Sequence, residues 1–315
     1  MDNKASLNRR TLISAAGAAA IASLATASNA HDRDSTAIKQ RSIRVSDGVT
    51  LSYLEAGRGR KTLVLIPGWS QTAEQFKFQL EGLANTYRVI AIDMRGHGDS
   101  EKAAFGQTIQ RLARDVNDVL QALDLDDVTI LGHSMGCSVL WCHFQLFGSK
   151  RIARYVFTDQ ASFLTSNPAW TAQTLENSGA IFTPNSVTST YNALIGPDGN
   201  AATRGFLGSM VTAQMPAWQF EWIYQLNLKM PRQLAADLLY NHCHQDWRTT
   251  LPRINRPTLF IGAVGSLVPY KCILWNASQV RGARATIFQA GEGDSHFMFI
   301  ENPVKFNNLL TSFIS

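Results

Sequence analysis

At 315 residues, with 17% charged side chains and a formal net charge of +5, the chain is long enough to bury a sizeable core. It is only mildly basic and has no long cationic run, so nothing points to nucleic acid. The four cysteines, Cys137, Cys142, Cys243 and Cys272, show no CxxC spacing and read as packed core thiols.

Residues 1–30 read as an export segment. Arg9-Arg10 precedes Thr11-Leu12-Ile13 and a run of Ala, Ile and Leu to Leu24, and Ser28-Asn29-Ala30 closes it with small residues. The paired arginines point to twin-arginine export, to a bacterial periplasm or beyond. The apolar run is too short and alanine-rich for a stable membrane span. The 285 residues from His31 onward lack Lys4, Arg9, Arg10 and Asp2, which lowers the charge from +5 to +3.

Eight apolar runs bounded by Gly, Pro or Asp follow, at 42–45, 51–55, 62–66, 88–92, 128–131, 155–158, 258–261 and 286–289. Ser46-Asp47-Gly48 joins the first two as a hairpin. Helical patterns at 74–83, 109–123, 138–147, 270–278 and 303–313 alternate with the later runs. That alternation predicts an α/β fold with a doubly wound, mostly parallel eight-stranded sheet. Helices on both faces explain why Leu63-Val64-Leu65-Ile66 is continuously apolar.

The alternation breaks at 161–248. This stretch is rich in Phe, Trp, Tyr, Leu and Met, with helical spacing at 219–230 and 233–242. Structureless loops of that length are rare in compact domains, so a helical cap inserted after strand 6 is expected. The α/β core would then span 31–160 and 249–315, with most cap aromatics packed inside the cap and a minority lining a cavity.

Gly132-His133-Ser134-Met135-Gly136 lies between a predicted strand and a predicted helix, the context of a nucleophile elbow. The turn is too tight for side chains two residues either side of the serine. It holds Ser134 at a helix N-terminus, where the dipole and free N–H groups favour developing negative charge.

With Leu65-Ile66-Pro67-Gly68-Trp69, Asp93-Met94-Arg95-Gly96-His97-Gly98-Asp99-Ser100 and Gly293-Asp294-Ser295-His296-Phe297, in this order, the chain resembles the α/β-hydrolase-fold superfamily. Within it, the capped serine esterase, lipase and haloperoxidase-like group is the nearest match. The resemblance covers about 41–160 and 249–315. It implies Ser134 as nucleophile and His296 as base, with the Met135 and Trp69 amides as oxyanion hole. Arg95, Asp93 and Asp99 are expected to hold the turn after the fourth strand. His97, His133, His143, His242 and His244 are expected to be structural, although His242-Cys243-His244 has the look of a fragmentary metal motif.

The acid is displaced. The family usually carries it within Gly-x-x-Asp-x-x-Val-Pro, where this chain reads Gly262-Ala263-Val264-Gly265-Ser266-Leu267-Val268-Pro269. Gly265 stands at the carboxylate's position, and no acidic residue lies between Asp246 and Glu292. Some relatives place the acid at the end of the sixth strand, which here is Asp159, and this is the favoured reading. Glu292 or Asp294 on the histidine's own loop is the second, and a dyad with Ser266 or water orienting the histidine is the third.

The expected activity is cleavage of a carboxylic ester or lactone through an acyl-enzyme on Ser134, without metal or organic cofactor. An apolar or aromatic-containing small molecule is the expected substrate. Amidase, perhydrolase or C–C hydrolase chemistry on the same residues, or a non-catalytic ligand-binding role, are the alternatives.

Overall fold

A computed structural model describes residues 36–315. The export reading of residues 1–30 lies outside the described residues.

Eight strands form one sheet: β1 (Lys39–Arg44), β2 (Thr50–Ala56), β3 (Thr62–Ile66), β4 (Arg88–Ile92), β5 (Val128–His133), β6 (Ile152–Thr158), β7 (Thr258–Ala263) and β8 (Arg284–Phe288). Their spatial order is β1-β2-β4-β3-β5-β6-β7-β8. β1 and β2 pair antiparallel, as do β2 and β4, and every other pair is parallel. The runs at 62–66, 88–92, 128–131 and 258–261 match their strands closely, whereas β6 begins at Ile152, three residues before the predicted 155. The two edge strands start earlier than predicted, β1 at Lys39 and β8 at Arg284. Both edges are largely solvent-exposed, so their first residues carry no apolar signal to read.

Alternate residues of each buried strand feed two separate cores. Val64, Ile66, Ile90, Ile130 and Phe157 pack on one face with α2 (Ile109–Ala122) and α3 (Met135–Phe147). Leu63, Leu65, Val89, Leu131 and Val156 pack on the other. There they meet α1 (Lys77–Leu83), which follows a 3-10 turn at Ala73–Phe76, and the C-terminal helix Pro303–Ile314. Helices on both faces thus make continuous apolar strands favourable.

Between β6 and β7 lie five helices: α4 (Ala172–Ser178), α5 (Pro184–Ile195), α6 (Gly199–Gly208), α7 (Ala217–Asn227) and α8 (Arg232–Cys243). The ends of this insertion close on each other, with a bridge between Phe163 and Asp246 and a Trp247 N–H donating to the Ser162 carbonyl at 2.9 Å. After β7 come α9 (Tyr270–Gln279), then β8, a short helix α10 (Met298–Glu301) and the C-terminal helix, α11. All four cysteines are free and buried.

Candidate active site

The elbow is built by close approach. A Cβ at Gly132 would come 2.5 Å from the backbone of Gly136, and one at Gly136 would come 2.4 Å from the Ile66 carbonyl. Between them Ser134 adopts φ 53° and ψ −126° at the cap of α3, a left-handed conformation costly for a residue with a Cβ. Its N–H donates to the Thr158 carbonyl at 2.8 Å, which ties the turn to the end of β6. Met135 is the first residue of α3, so its N–H has no acceptor within the helix.

One residue beyond β6, Asp159 also has a positive φ, 55°. It is fully buried, and His296 Nδ1–H donates to its Oδ2 at 2.6 Å. The Ser266 hydroxyl donates to the same oxygen. Burial raises the Asp159 carboxyl above the ordinary aspartate value, against the bonds from His296 and Ser266, which favour the charged form. The structure therefore brings Ser134, His296 and Asp159 to one end of the sheet. His296 Nε2 is buried without a hydrogen-bond partner, so no bond joins it to Ser134 Oγ. Such bonds are commonly long in the absence of substrate.

The other acid candidates are engaged elsewhere. Glu292 pairs with Lys305 and accepts from the Gln289 N–H at 2.7 Å. Asp294 Oδ1 accepts from the Gly291 N–H at 3.0 Å. Ser266 bonds Asp159 and not the histidine, unlike the dyad reading. A Cβ at Gly265 would lie 2.5 Å from Asp294 Oδ2 and 3.0 Å from the Asp294 carbonyl, so a side chain at the usual acid position would have to displace the Asp294 carboxylate.

The loop after β3 carries Trp69. A Cβ at Gly68 would lie 2.8 Å from Ser134 Cβ, which places this loop directly against the nucleophile. Gly68 N–H donates to Gln71 Oε1 at 2.9 Å, and the same oxygen lies 2.8 Å from His133 Nδ1. His133, a neutral ring with one N–H, stands between that oxygen and the His296 carbonyl, which lies 2.8 Å from its Nε2, and donates to one of the two. Gln71 is thus the brace that Pro67 cannot supply, a role the sequence reading missed because it depends on contact with His133. From the cap side, Trp69 Nε1–H donates to the Ala235 carbonyl at 2.6 Å and Ser70 Oγ–H to the Asn227 carbonyl at 2.8 Å.

The remaining motif residues hold structure. Asp93 accepts from the Ala73 and Asp99 N–H groups at 2.7 and 2.9 Å. Arg95 is buried in a fork with Asp115, at 2.7 and 2.9 Å, and reaches Asp47 at 2.8 Å. Asp99 also faces Lys229 of the insertion at 3.1 Å. The His242-Cys243-His244 sequence gathers no ligand set, and no cluster suited to a metal occurs among the described residues. His244 instead faces the Tyr240 carbonyl, while His242 points to the site.

Ser134 and His296 line one cavity whose walls include Trp69, Leu164, Phe182, Phe206 and Met210. Two of the insertion's aromatics, Phe182 and Phe206, reach it, whereas Trp218 is 65% exposed.

A family model described as alpha/beta hydrolase fold matches residues 61–183. Among curated proteins, the chain is similar to the non-heme chloroperoxidase CPO-A1 of Kitasatospora aureofaciens, 39% identical over 107 residues. That stretch is 34% of this chain and 38% of the relative, and the next two relatives are matched over 32% and 25% of their length. Among solved structures, a bromoperoxidase from Bacillus anthracis superposes with a TM-score of 0.79 at 21% identity. That superposition covers 88% of this chain and 99% of the other. An esterase from Exiguobacterium antarcticum gives 0.79 at 24% identity, over 87% and 98%. With the sheet order, the elbow and the matched model in agreement, the chain has the α/β-hydrolase fold.

Proposed function

We propose that this protein is a serine hydrolase that cleaves a carboxylic ester or lactone through an acyl-enzyme on Ser134. The observation that carries the reading is the 2.6 Å bond from His296 Nδ1–H to Asp159 Oδ2, in a site where His296 and Ser134 share one cavity. That bond fixes the tautomer with a lone pair on Nε2, the form able to take the serine proton. Ser134 Oγ attacks the ester carbonyl as His296 accepts its proton. The oxyanion forms against the Met135 and Trp69 amides, each donor worth about 3 kcal/mol in the transition state. Collapse expels the alcohol, which takes the proton back from His296. Water, deprotonated by His296, then releases the acid.

None of the cavity's lining residues is a lysine, arginine, aspartate or glutamate, so the substrate is neutral around the scissile bond. The esterase among the structural neighbours agrees with ester chemistry. Export rests on residues 1–30 alone; we infer it from Arg9-Arg10 and the run that follows.

Hydrolysis of p-nitrophenyl butyrate by wild type, Ser134→Ala and Asp159→Asn tests the assignment. Turnover by wild type with losses of roughly a thousandfold or more in both variants is expected. Loss in Ser134→Ala alone would reassign the acid. A silent wild type that a fluorophosphonate fails to label would leave a ligand-binding member of the fold.

A further inference from the structure

The cavity wall contains a second buried imidazole. His242, at the end of α8, is 3% exposed and lines the same cavity as Ser134 and His296. Its Nε2 lies 2.9 Å from Ser138 Oγ and 3.5 Å from Gln160 Nε2, and Gln160 also lines the cavity. An amide nitrogen can only donate and a hydroxyl can do so, which makes Nε2 the acceptor and places the ring proton on Nδ1. Nδ1 is buried and has no partner. Among the cavity's lining residues, His296 Nε2, the atom that must meet substrate, shares that condition.

Burial pushes the His242 pKa down to about 3, so the ring is a neutral donor and not a cation at ordinary pH. A buried donor without an acceptor is unfavourable, and an acceptor brought by a ligand relieves that cost. Ser138 lies one helical turn beyond Ser134 on α3, which sets His242 about one turn from the reacting centre.

We propose that His242 is a specificity-determining residue that donates from Nδ1 to a neutral oxygen, carbonyl or ether, carried by the substrate three to five atoms from the scissile carbonyl. The proposal rests on the hydrolase reading above and narrows its substrate class to neutral esters with a second oxygen function. The apolar walls, Leu164, Phe182, Phe206 and Met210, enclose the intervening carbons.

The test compares p-nitrophenyl hexanoate with its 4-oxo and 5-oxo analogues, which match it in size. Wild type is expected to favour one oxo ester by about tenfold in kcat/KM, the size of one net hydrogen bond. His242→Leu should abolish that preference, read as the ratio of oxo ester to hexanoate kcat/KM within each protein. His242→Asn, which offers an N–H near the place of Nδ1, should retain part of it. An equal oxo-to-hexanoate ratio in wild type and His242→Leu overturns the proposal. Binding of 2-hexanone and hexane, followed by tryptophan fluorescence, reads the same contact without chemistry. A ketone preference that depends on His242 in a protein lacking ester turnover would sink the hydrolase reading alone; equal affinities would sink this one.

Discussion

Asp159 shares one carboxylate oxygen between His296 and Ser266, and its other oxygen is buried without a partner. Everything that orients the carboxylate therefore acts at Oδ2. Ser266 is the residue beside the vacant acid position, so the loop after β7 still serves the histidine, now through Asp159. Ser266→Ala should lower kcat by about 10- to 100-fold, the range for one hydrogen bond to a charged group, with KM little changed. Ser266→Thr, which keeps the hydroxyl, should restore most of the rate. Equal rates in wild type and Ser266→Ala would remove the serine from the site's support. Gly265→Asp in an Asp159→Asn background should recover no activity, because the new side chain meets Asp294.

The loop after β3 is held at both ends of its reach. Gln71 accepts from Gly68 within the loop and lies against His133 of β5, and Trp69 and Ser70 tie the loop to α8 and α7 of the insertion. The presence of a β3 loop against the elbow was legible from Leu65-Ile66-Pro67-Gly68-Trp69. Its fastening was not, because each tie joins residues that lie about 60 to 166 positions apart. Gln71→Met leaves the buried Gly68 N–H without its acceptor. Urea unfolding should show a loss of roughly 1–3 kcal/mol, and kcat should fall because the oxyanion donors shift. Unchanged stability and rate in that variant would mean that the loop is positioned by the insertion alone.

At the level of the molecule, four histidines lie buried and neutral. Burial lowers the pKa of His97 and His143 to about 4 and of His242 to about 3, and holds His133 well below its ordinary value. Between those values and 6.5 the unfolded chain binds protons that the fold refuses. Stability is therefore fully present above about pH 6.5 and declines as pH falls. Each histidine contributes up to about 1.4 kcal/mol per pH unit. The buried Asp93 and Asp159 carboxyls, raised by desolvation, oppose this trend at lower pH. Urea unfolding at pH 7 and pH 5 should show a less stable protein at pH 5. His143→Leu should narrow the gap by about one histidine's share, since neither ring nitrogen of His143 has a partner. A gap of the same width in that variant would place the pH dependence elsewhere.

The sequence by itself determined the sheet, the elbow and the pair Ser134 and His296. Each rests on local physics: buried parallel strands are continuously apolar, a turn this tight needs Gly132 and Gly136, and motif order follows chain order. It narrowed the carboxylate to three readings, left His242 among the structural histidines and gave no sign of Gln71. Only the tertiary structure decided that Asp159, 137 residues before His296, is the carboxylate that meets it. Only the packing of α8 against Ser138 of α3 and Trp69 of the β3 loop decided that His242 lines the cavity. Those outcomes depend on where distant segments converge at the ends of β6 and β7, and periodicity along the chain carries no record of that convergence.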